Sequence, residues 1–389
     1  MPEINFLDTK VAFASKNNFA LNKAFLLFKL MSVPSLVKVG SGLASFGIKA
    51  GLPINKLIKL SIFEQFCGGE TINECQVAIN NLAKYGIGTI LDYSVEGEES
   101  DAVFDQTCQE IIHTIEKAQA DKSIGFAVFK VTGVASFELL QKISSHAELT
   151  PTETQNWHIA KARILEICNK AAAINQPVFI DAEESWIQPA IDGLAAEMMQ
   201  KFNTKMPLIY NTIQLYRHDR LAYLKASHSH ATKNGYMLGV KLVRGAYIEK
   251  ERKRAENLGY PSPMQPTKAA TDADYDAALE FCVQNIANIA ICAGTHNQES
   301  TELLTQLMQK HGVNAAHPHI CFSQLYGMSD NLSYNLSNAG YNVQKYLPYG
   351  PVASVLPYLI RRAQENTAMA GQMSRELSLI AQERKRRNP

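Results

Sequence analysis

Two adjacent arginines near the C-terminal end of this sequence are the side chains most suited to binding an anion. Tyr358 precedes Arg361 by three residues and Arg362 by four, so a helix would place all three along one side. Two guanidinium groups offer several fixed donors that match the oxygens of a carboxylate. A solvated basic face is the ordinary alternative, but tyrosines and apolar residues flank this pair instead of Lys and Glu. The sequence therefore predicts a partly buried anion site.

Further polar residues follow the short apolar runs of the chain, where the strands of a sheet would end. In chain order they are Lys130, Asp181, Gln214, Lys241, His296, Gln324 and Tyr346. So many polar strand ends predict a wide, polar-lined mouth that holds a large ligand. Simpler roles stay open, such as a helix cap for Asp181 and a hydrogen-bonded core position for His296. Glu183 and Glu184 are expected on a solvated loop, and Gly245 suits either a turn or the close approach of a ligand.

The elements that must position these residues alternate along the chain. Short apolar runs cover residues 86–91, 125–131, 178–182, 208–214, 237–243, 289–293, 319–322 and 342–346, with longer amphipathic stretches between them. Near-continuous apolar strands separated by helices indicate a parallel sheet covered by helices. Eight such units predict an α/β fold with a (βα)8 TIM-like barrel, whose active site lies at the carboxyl ends of the strands. A doubly wound open sheet is the alternative, weakened because no G-x-G-x-x-G follows the first run.

Two basic residues at the end of the fifth run, Lys241 within it and Arg244 directly after it, cannot both face the interior of a barrel. They lie three positions apart, and successive side chains of a strand point to opposite faces. Lys241 is the predicted inward residue, since Leu242 then points outward to the helices.

The region before the barrel is predicted to be a helical arm over residues 1–80, followed by the barrel over residues 81–389. Residues 19–60 are strongly apolar, carry lysines and contain no acid. An interfacial membrane segment and an arm packed on its own domain both suit this composition. Lys29, Lys38 and Lys49 interrupt the apolar run, so no span of membrane length is predicted. The expected location is the cytoplasm, with peripheral contact to the inner membrane, on the matrix side if the source is eukaryotic.

The composition restricts the class of partner. The chain has 389 residues, with 38 Lys+Arg against 37 Asp+Glu, and this balance predicts no nucleic-acid partner. Seven cysteines without a CxxC spacing read as scattered thiols in a reducing compartment, with neither a disulfide framework nor a metal site. The four basic residues 384–387 are expected to form a solvated tail.

Several motifs resemble the proline dehydrogenase family in order and spacing. They are residues 180–184 (IDAEE), 241–247 (KLVRGAY), 324–328 (QLYGM), 346–351 (YLPYGP) and 356–366 (LPYLIRRAQEN). The resemblance runs from about residue 85 to residue 370 and is strongest to the monofunctional, eukaryotic-like branch. It implies a flavoenzyme on a distorted barrel, with FAD across the strand ends and L-proline stacked on the flavin ring.

The resemblance also implies roles for individual residues. Arg361 and Arg362 match the arginines that clamp the substrate carboxylate, Lys130 matches a lysine that assists them, and Asp181 completes the catalytic set. Leu325, Tyr346 and Tyr358 match the walls around the proline ring. The positions that match FAD contacts are Asp181, Gln214, Lys241, Val243, Gly245, Ala246, Tyr247, Thr267, Thr295, His296, Asn297, Gln324, Tyr346, Arg362 and Glu365. Many bacterial members have arginine where Lys241 stands, and a glutamate among Glu96, Glu98 and Glu99 would also enter the pocket.

The implied reaction is hydride transfer from C5 of proline to flavin N5, which gives Δ1-pyrroline-5-carboxylate in the first step of proline catabolism. A quinone-type acceptor, with peripheral membrane contact, would then take the electrons. A different class of enzyme stays open, since a barrel with inward lysines could form a Schiff base through Lys130 or Lys241. A catalytically inactive binding barrel is a third class, which the intact charged set disfavours.

Overall fold

The computed structural model describes residues 4–94, 99–368 and 370–388, and the side chains of 365–374 are outside the description. In this part of the chain, eight parallel strands form a closed barrel in the order β1 to β8. Their bounds are β1 Ile87–Tyr93, β2 Ile124–Lys130, β3 Val178–Asp181, β4 Ile209–Gln214, β5 Leu238–Val243, β6 Ile289–Gly294, β7 Ile320–Leu325 and β8 Val343–Tyr349. The prediction of a (βα)8 TIM-like barrel is confirmed, and each strand overlaps one of the eight predicted apolar runs.

Helices precede, connect and follow the strands. They are α1 Thr9–Ala12, α2 Asn18–Met31, α3 Pro34–Lys49, α4 Asn55–Ile58, α5 Glu64–Phe66, α6 Ile72–Ala83, α7 Asp101–Ala120, α8 Phe137–Ser144, α9 Pro151–Ala173, α10 Gln188–Phe202, α11 Arg220–Lys233, α12 Ile248–Leu258, α13 Lys268–Gln284, α14 Gln298–Lys310, α15 Asp330–Asn338, α16 Val352–Ala368 and α17 Ala370–Arg387. A π-helical turn covers Lys59–Phe63, and a 3-10 turn covers Val131–Gly133.

The chain divides into two compact units. Unit 1 is Glu98–Ser323, and unit 2 combines Pro2–Gly97 with Gln324–Pro389. The division at residue 80 that the sequence suggests stays a prediction.

Unit 1 contains strands β2 to β6 and most of β7, joined by helices. The strand β4 is buried at all six positions, as expected for a parallel strand covered on both faces. Local signals fix several helix starts: Thr150 and Glu153 form a reciprocal capping box at α9, and the Asn297 side chain accepts the Ser300 N–H at α14. The cap at Asn297 sets where the loop after β6 ends.

Unit 2 contains the paired strands β1 and β8, whose register runs from Ile87 opposite Val343 to Tyr93 opposite Tyr349. Its core is one hydrophobic cluster built from the arm helix α2, the turn near Phe63 and the helices α16 and α17. Leu21, Ala24, Phe28 and Met31 supply the α2 face, at a spacing of three and four residues. The arm is therefore packed on the helix that carries Arg361 and Arg362.

The basic residues 384–387 are part of α17, so the prediction of a simple solvated tail is wrong. Arg386 and Arg387 both bind the carboxylate of Glu383, which is buried and accepts the Thr9 hydroxyl at 2.9 Å. Arg387 also donates to the backbone carbonyls of Phe13 and Lys16. Long-range pairing of this kind leaves no periodic signal in the sequence.

All seven cysteines are buried thiols without a disulfide. No single helix in the described ranges has the length and apolarity to cross a membrane, whereas α2 and α3 pass that test only together, as a pair bent by 98°.

Candidate active site

The polar residues of unit 1 lie at the carboxyl ends of neighbouring strands, as the sequence predicts. Lys130 ends β2, Asp181 ends β3, and the strand register places the two residues directly opposite each other. Gln214 ends β4 opposite Val243 at the end of β5. Adjacent parallel strands therefore bring these side chains to one edge of the sheet.

Lys241 and Asp181 form an ion pair with little exposure to solvent. The lysine lies on β5 and the aspartate on β3, and their side chains are 7% and 14% exposed. The ammonium group also lies 5.1 Å from the centre of the Phe179 ring. Arg244, in contrast, binds Asp272 of α13 and stacks 3.7 Å from the ring centre of Tyr275. These contacts agree with Lys241 as the inward residue and Arg244 as the outward one.

Glu183 and Glu184 are both buried, so the prediction that they lie on a solvated loop is wrong. Glu183 accepts the Thr132 backbone N–H at 3.1 Å and the Thr132 hydroxyl at 2.5 Å. Burial raises the pKa of the Glu183 carboxyl to about 7, and the nearby charge of Lys130 only partly opposes this rise. Glu184 pairs with Lys250. Their position directly after β3 was the only sequence signal for this buried group.

Gln214 holds a hydrogen-bond acceptor that no described residue uses. The side chain is 1% exposed, and its Nε2 donates to the Glu183 carbonyl at 2.7 Å and to the Tyr216 hydroxyl at 2.8 Å. The Oε1 atom is buried and has no partner among the described residues. An orphaned buried acceptor of this kind is costly unless a ligand donor meets it.

The loops after β5 and β6 carry the remaining predicted cofactor positions of unit 1. Gly245 has φ +98° with open space around it, which suits close approach of a ligand to the backbone. Ala246 is exposed, while Tyr247 and His296 are half-buried. Thr295 is buried, and its hydroxyl accepts the Asn297 N–H at 3.1 Å.

Two of the predicted cofactor residues have local structural roles in this fold. Asn297 caps α14, and Thr267 caps α13 by accepting the Ala270 N–H. Thr267 is also exposed, and its cofactor role stays a prediction.

In unit 2 the helix α16 carries Tyr358, Arg361 and Arg362, which the sequence analysis assigns to the substrate. Tyr358 is 8% exposed, and the Arg362 guanidinium lies 5.4 Å from the centre of its ring. Arg361 and Arg362 are half-buried, at the spacing that keeps all three residues on one side of the helix. Tyr346 is half-buried on β8, with its carbonyl accepting the Tyr326 N–H at 2.9 Å.

The segment from the end of β7 to α15 is held by buried charges that the sequence did not reveal. Lys345 binds Asp330 at 2.9 Å and donates to the carbonyls of Leu325 and Met328. Lys16 binds the same aspartate at 3.1 Å, and the carboxylate of Glu376 accepts the N–H of Ser329. We call Lys16, Asp330, Lys345 and Glu376 the buried charge cluster.

The buried charge cluster fixes an unusual backbone. Ser329 has φ +49°, which is uncommon for a residue with a side chain, and Glu376 holds its N–H. Gln324, which is 1% exposed, accepts a hydrogen bond from the Ser333 hydroxyl at 2.8 Å. Hydrogen bonds therefore hold the segment that carries Leu325 at Gln324 on one side and at Ser329 on the other. A cavity of about 220 Å³ lies beside the cluster in unit 2, and its lining includes none of the predicted substrate residues.

Some predicted residues fall outside the description. Glu96 and Glu98 lie outside the described residues, as does the side chain of Glu365. Glu99 is exposed and accepts the Phe137 N–H at 3.2 Å.

Comparisons with known proteins agree with one another. A family model described as Proline dehydrogenase matches residues 75–375. The chain is 34% identical to proline dehydrogenase 1, mitochondrial, of Dictyostelium discoideum, covering 98% of this chain and 75% of that protein. It is 32% identical to the hydroxyproline dehydrogenase of Xenopus laevis, covering 99% and 90%.

Among solved structures, the fold is similar to that of proline utilization A from Bdellovibrio bacteriovorus inactivated by N-propargylglycine. The TM-score is 0.73 at 22% identity, and the similarity covers 92% of this chain and 38% of that one. At this identity the similarity concerns the fold alone.

Proposed function

Because the chain belongs to the proline dehydrogenase family of oxidoreductases, we propose that it oxidises L-proline to Δ1-pyrroline-5-carboxylate in proline catabolism. FAD is the proposed cofactor, and a quinone-type molecule is the proposed electron acceptor. The observation that carries the proposal is the half-buried pair Arg361 and Arg362, which lies on one side of α16 with Tyr358. The similarity to a hydroxyproline dehydrogenase makes the ring hydroxyl the substrate feature to test.

The residues of unit 1 fit a flavin. The buried, unpartnered Oε1 of Gln214 suits a ring N–H, and the open backbone at Gly245 suits close approach of a planar group. FAD, when bound, would supply the acceptor for the hydride that leaves C5 of proline. Lys241, with Val243, His296 and the other positions that the resemblance implies, would hold it. Lys241 is already paired with Asp181, so the pair contributes little net charge.

The residues of unit 2 are assigned to the amino acid. Arg361 and Arg362 would bind the proline carboxylate, each charged hydrogen bond contributing roughly 1.5–3 kcal/mol. Leu325, Tyr346 and Tyr358 are proposed to contact the ring, and from unit 1 the resemblance adds Lys130 as a further residue for the carboxylate. The substrate amine must lose its proton before hydride can leave C5. Cations near the amine would lower its pKa and so favour the neutral form.

The electron acceptor and the location belong to the same proposal. A quinone in a membrane requires peripheral contact with that membrane, and the apolar arm is the segment suited to it. Since relatives include mitochondrial enzymes, the proposed place is the matrix side of the inner membrane if the source is eukaryotic. In a bacterial source it is the cytoplasmic face of the inner membrane.

The experiment is to record the visible spectrum of the purified protein before and after adding L-proline without oxygen. We expect a yellow protein whose flavin absorbance L-proline removes, with D-proline as the control that leaves the colour unchanged. A colourless protein that borohydride links covalently to a carbonyl substrate would contradict the proposal. That outcome would instead favour a Schiff base on Lys130 or Lys241.

A further inference from the structure

Exposed apolar side chains concentrate on the arm of unit 2. Of the sixteen large hydrophobic side chains that are exposed in the described residues, twelve lie between Leu7 and Leu60. We define the arm surface as Phe19, Leu26, Leu30, Val33, Leu36, Val39, Leu43, Phe46, Leu52, Leu57 and Leu60. A concentration of this kind on a folded protein marks an interaction site, since incidental exposed residues would be spread over the whole chain.

The arm surface is a continuous stripe and not a set of isolated residues. On α3, Leu36, Val39, Leu43 and Phe46 follow one another at steps of three, four and three, which keeps them on one face. Leu43 and Phe46 are each 66% exposed. The other face of α3 packs on the hydrophobic cluster through Val37, Ala44 and Ile48.

The helix α2 is arranged in the same way. Phe19, Leu26 and Leu30 are exposed on the face opposite to Leu21, Ala24 and Phe28, which the core buries. Both helices therefore have two apolar faces, of which the fold uses one.

The segment that carries the arm surface contributes charge of a single sign. Between Thr9 and Phe63 the sequence contains eight lysines and no acid, and three of these lysines (Lys16, Lys23 and Lys59) pair with acids from outside this range. On α3, Lys38 and Lys49 lie eleven positions apart, which is about three helical turns, so they share one flank of the stripe. An apolar stripe with lysines at its flank matches a bilayer surface that carries anionic headgroups.

The lengths of the helices favour a position in the plane of the membrane. At 1.5 Å per residue, α2 and α3 are roughly 21 and 24 Å long, and each is shorter than the ~30 Å hydrocarbon core. The bend of 98° between them directs the pair along a surface better than through it.

We propose that α2 and α3 dock on a bilayer that contains anionic lipid, with the arm surface in the acyl boundary and Lys38 and Lys49 beside the phosphates. This inference deepens the membrane contact of the proposed function but does not depend on the redox reaction. A second copy of the chain is the less suitable occupant, because a symmetric contact would bring the same lysine-rich surfaces together.

The test measures sedimentation of the FAD-loaded protein with two kinds of vesicle, one of pure phosphatidylcholine and one with added phosphatidylglycerol. The stripe variant is Leu43→Ser with Phe46→Ser, and its control is Val77→Ser with Leu258→Ser, which removes exposed apolar side chains elsewhere. The charge variant is Lys38→Gln with Lys49→Gln, and its control is Lys233→Gln with Lys310→Gln at exposed positions of unit 1.

We expect the wild type and both controls to bind the anionic vesicles. The stripe variant should lose at least about tenfold in partition coefficient, because two large apolar side chains no longer enter the bilayer. The charge variant should lose about thirtyfold, at roughly 1 kcal/mol for each lysine, and added salt should reduce wild-type binding in the same way.

Three outcomes would overturn the inference. The first is wild-type protein that binds neither kind of vesicle. The second is a stripe variant that binds the anionic vesicles as well as its control does. The third is a wild type and a charge variant that each bind the anionic and the pure phosphatidylcholine vesicles equally well. If the wild type binds no vesicle but forms a dimer, and the stripe variant is a monomer, the arm surface would instead be the contact with a second copy of the chain. Dye-linked proline oxidation, measured in parallel, reports on the proposed function alone, so the two can fail separately.

Discussion

Arg362 is the residue whose replacement tests the proposed carboxylate site most directly. Changing Arg362→Met keeps much of the side-chain length but removes the charged donors. We expect the KM for proline to rise about 10-fold to 100-fold, because one or two charged hydrogen bonds are lost. The measurement is steady-state kinetics with a dye acceptor, together with the flavin content of the variant.

The matched control for Arg362 is Arg375→Met, which removes an arginine from α17. Near-native proline affinity in Arg362→Met, or an equal loss in the control, would show that the assignment is mistaken.

Tyr346 decides, in our proposal, whether a ring hydroxyl is tolerated. The phenol would pack near C4 of proline, where a hydroxyl would clash or lose water without gaining a partner, at a cost of roughly 1–3 kcal/mol. We expect wild type to prefer L-proline over trans-4-hydroxy-L-proline by about 10-fold to 100-fold in kcat/KM. Tyr346→Ser should narrow the ratio, mainly by weakening catalysis with proline. Equal efficiencies for the two substrates in wild type would refute this role.

Among the polar residues near strand ends, the sequence predicts the positions of some but not the burial of others. Lys130, Asp181 and Gln214 could be placed because a parallel strand has a recognisable apolar pattern and its end is where polarity returns. The burial of Glu183 could not be predicted from the sequence, because it depends on Thr132, which is 51 positions away in the chain. The same holds for Asp330, whose partners Lys16 and Lys345 come from distant segments.

At the scale of elements, the strands were predictable and their ends were not. The last run was predicted to end at residue 346, but β8 continues to Tyr349 because all seven of its residues pair with β1. Likewise Gln324 and Leu325 belong to β7 itself. Apolar patterning identifies a strand, whereas its last residues depend on the neighbouring strand, which the pattern does not specify.

The arm helix α2 supports α16, and this relation can be tested with two phenylalanines of the same helix. Phe28 is 1% exposed and packs in the hydrophobic cluster with Tyr358 and Leu359 of α16. Phe28→Ala should lower the free energy of unfolding by about 3–5 kcal/mol through loss of apolar contact and an unfilled cavity. We also expect a higher KM for proline, because α16 carries both arginines.

Phe19→Ala is the matched control, because Phe19 is exposed on the opposite face of α2. It should change the free energy of unfolding by no more than about 0.5 kcal/mol. Denaturant unfolding measures both variants. If Phe28→Ala is destabilised while its KM equals that of wild type, the arm does not position α16.

At the scale of the whole molecule, buried carboxyls should make stability fall as the pH rises above 5. Burial raises the pKa of Glu376 to about 7, and the charge of Asp330 adds to the rise. Between the ordinary pKa of 4.5 and about 7, the folded state holds a proton that the unfolded state has lost. The free energy of unfolding should therefore fall through this window by roughly 2–3 kcal/mol. Burial also raises the pKa of the Glu183 carboxyl, so its titration lowers the free energy of unfolding in the same direction as the pH rises.

The experiment compares wild type, Glu376→Gln and Glu383→Gln by denaturant unfolding at pH 5, 6, 7 and 8. Glu376→Gln should reduce the loss of stability, and Glu183 contributes to the loss that remains. Glu383 is the control on the same helix, since its hydrogen bond to Arg386, with further donors, lowers its pKa to about 2 and its titration lies below pH 5. A pH dependence that Glu376→Gln leaves unchanged would contradict the assignment.

The contacts between α1 and α17 also have a consequence in time. The Thr9 hydroxyl donates to Glu383, and Arg387 donates to the backbone carbonyls of Phe13 and Lys16. The partners lie 371 to 374 positions apart in the chain. At about 5–20 residues per second, a ribosome needs roughly 20–75 s to reach those partners after it has made the arm. During that interval the core-facing side of α2 lacks the cover that α17 provides, while its other apolar face is exposed in the folded protein as well. Synthesis of this protein therefore leaves the core-facing side of α2 exposed until α17 has been made, and transiently exposed apolar surface of this kind favours aggregation.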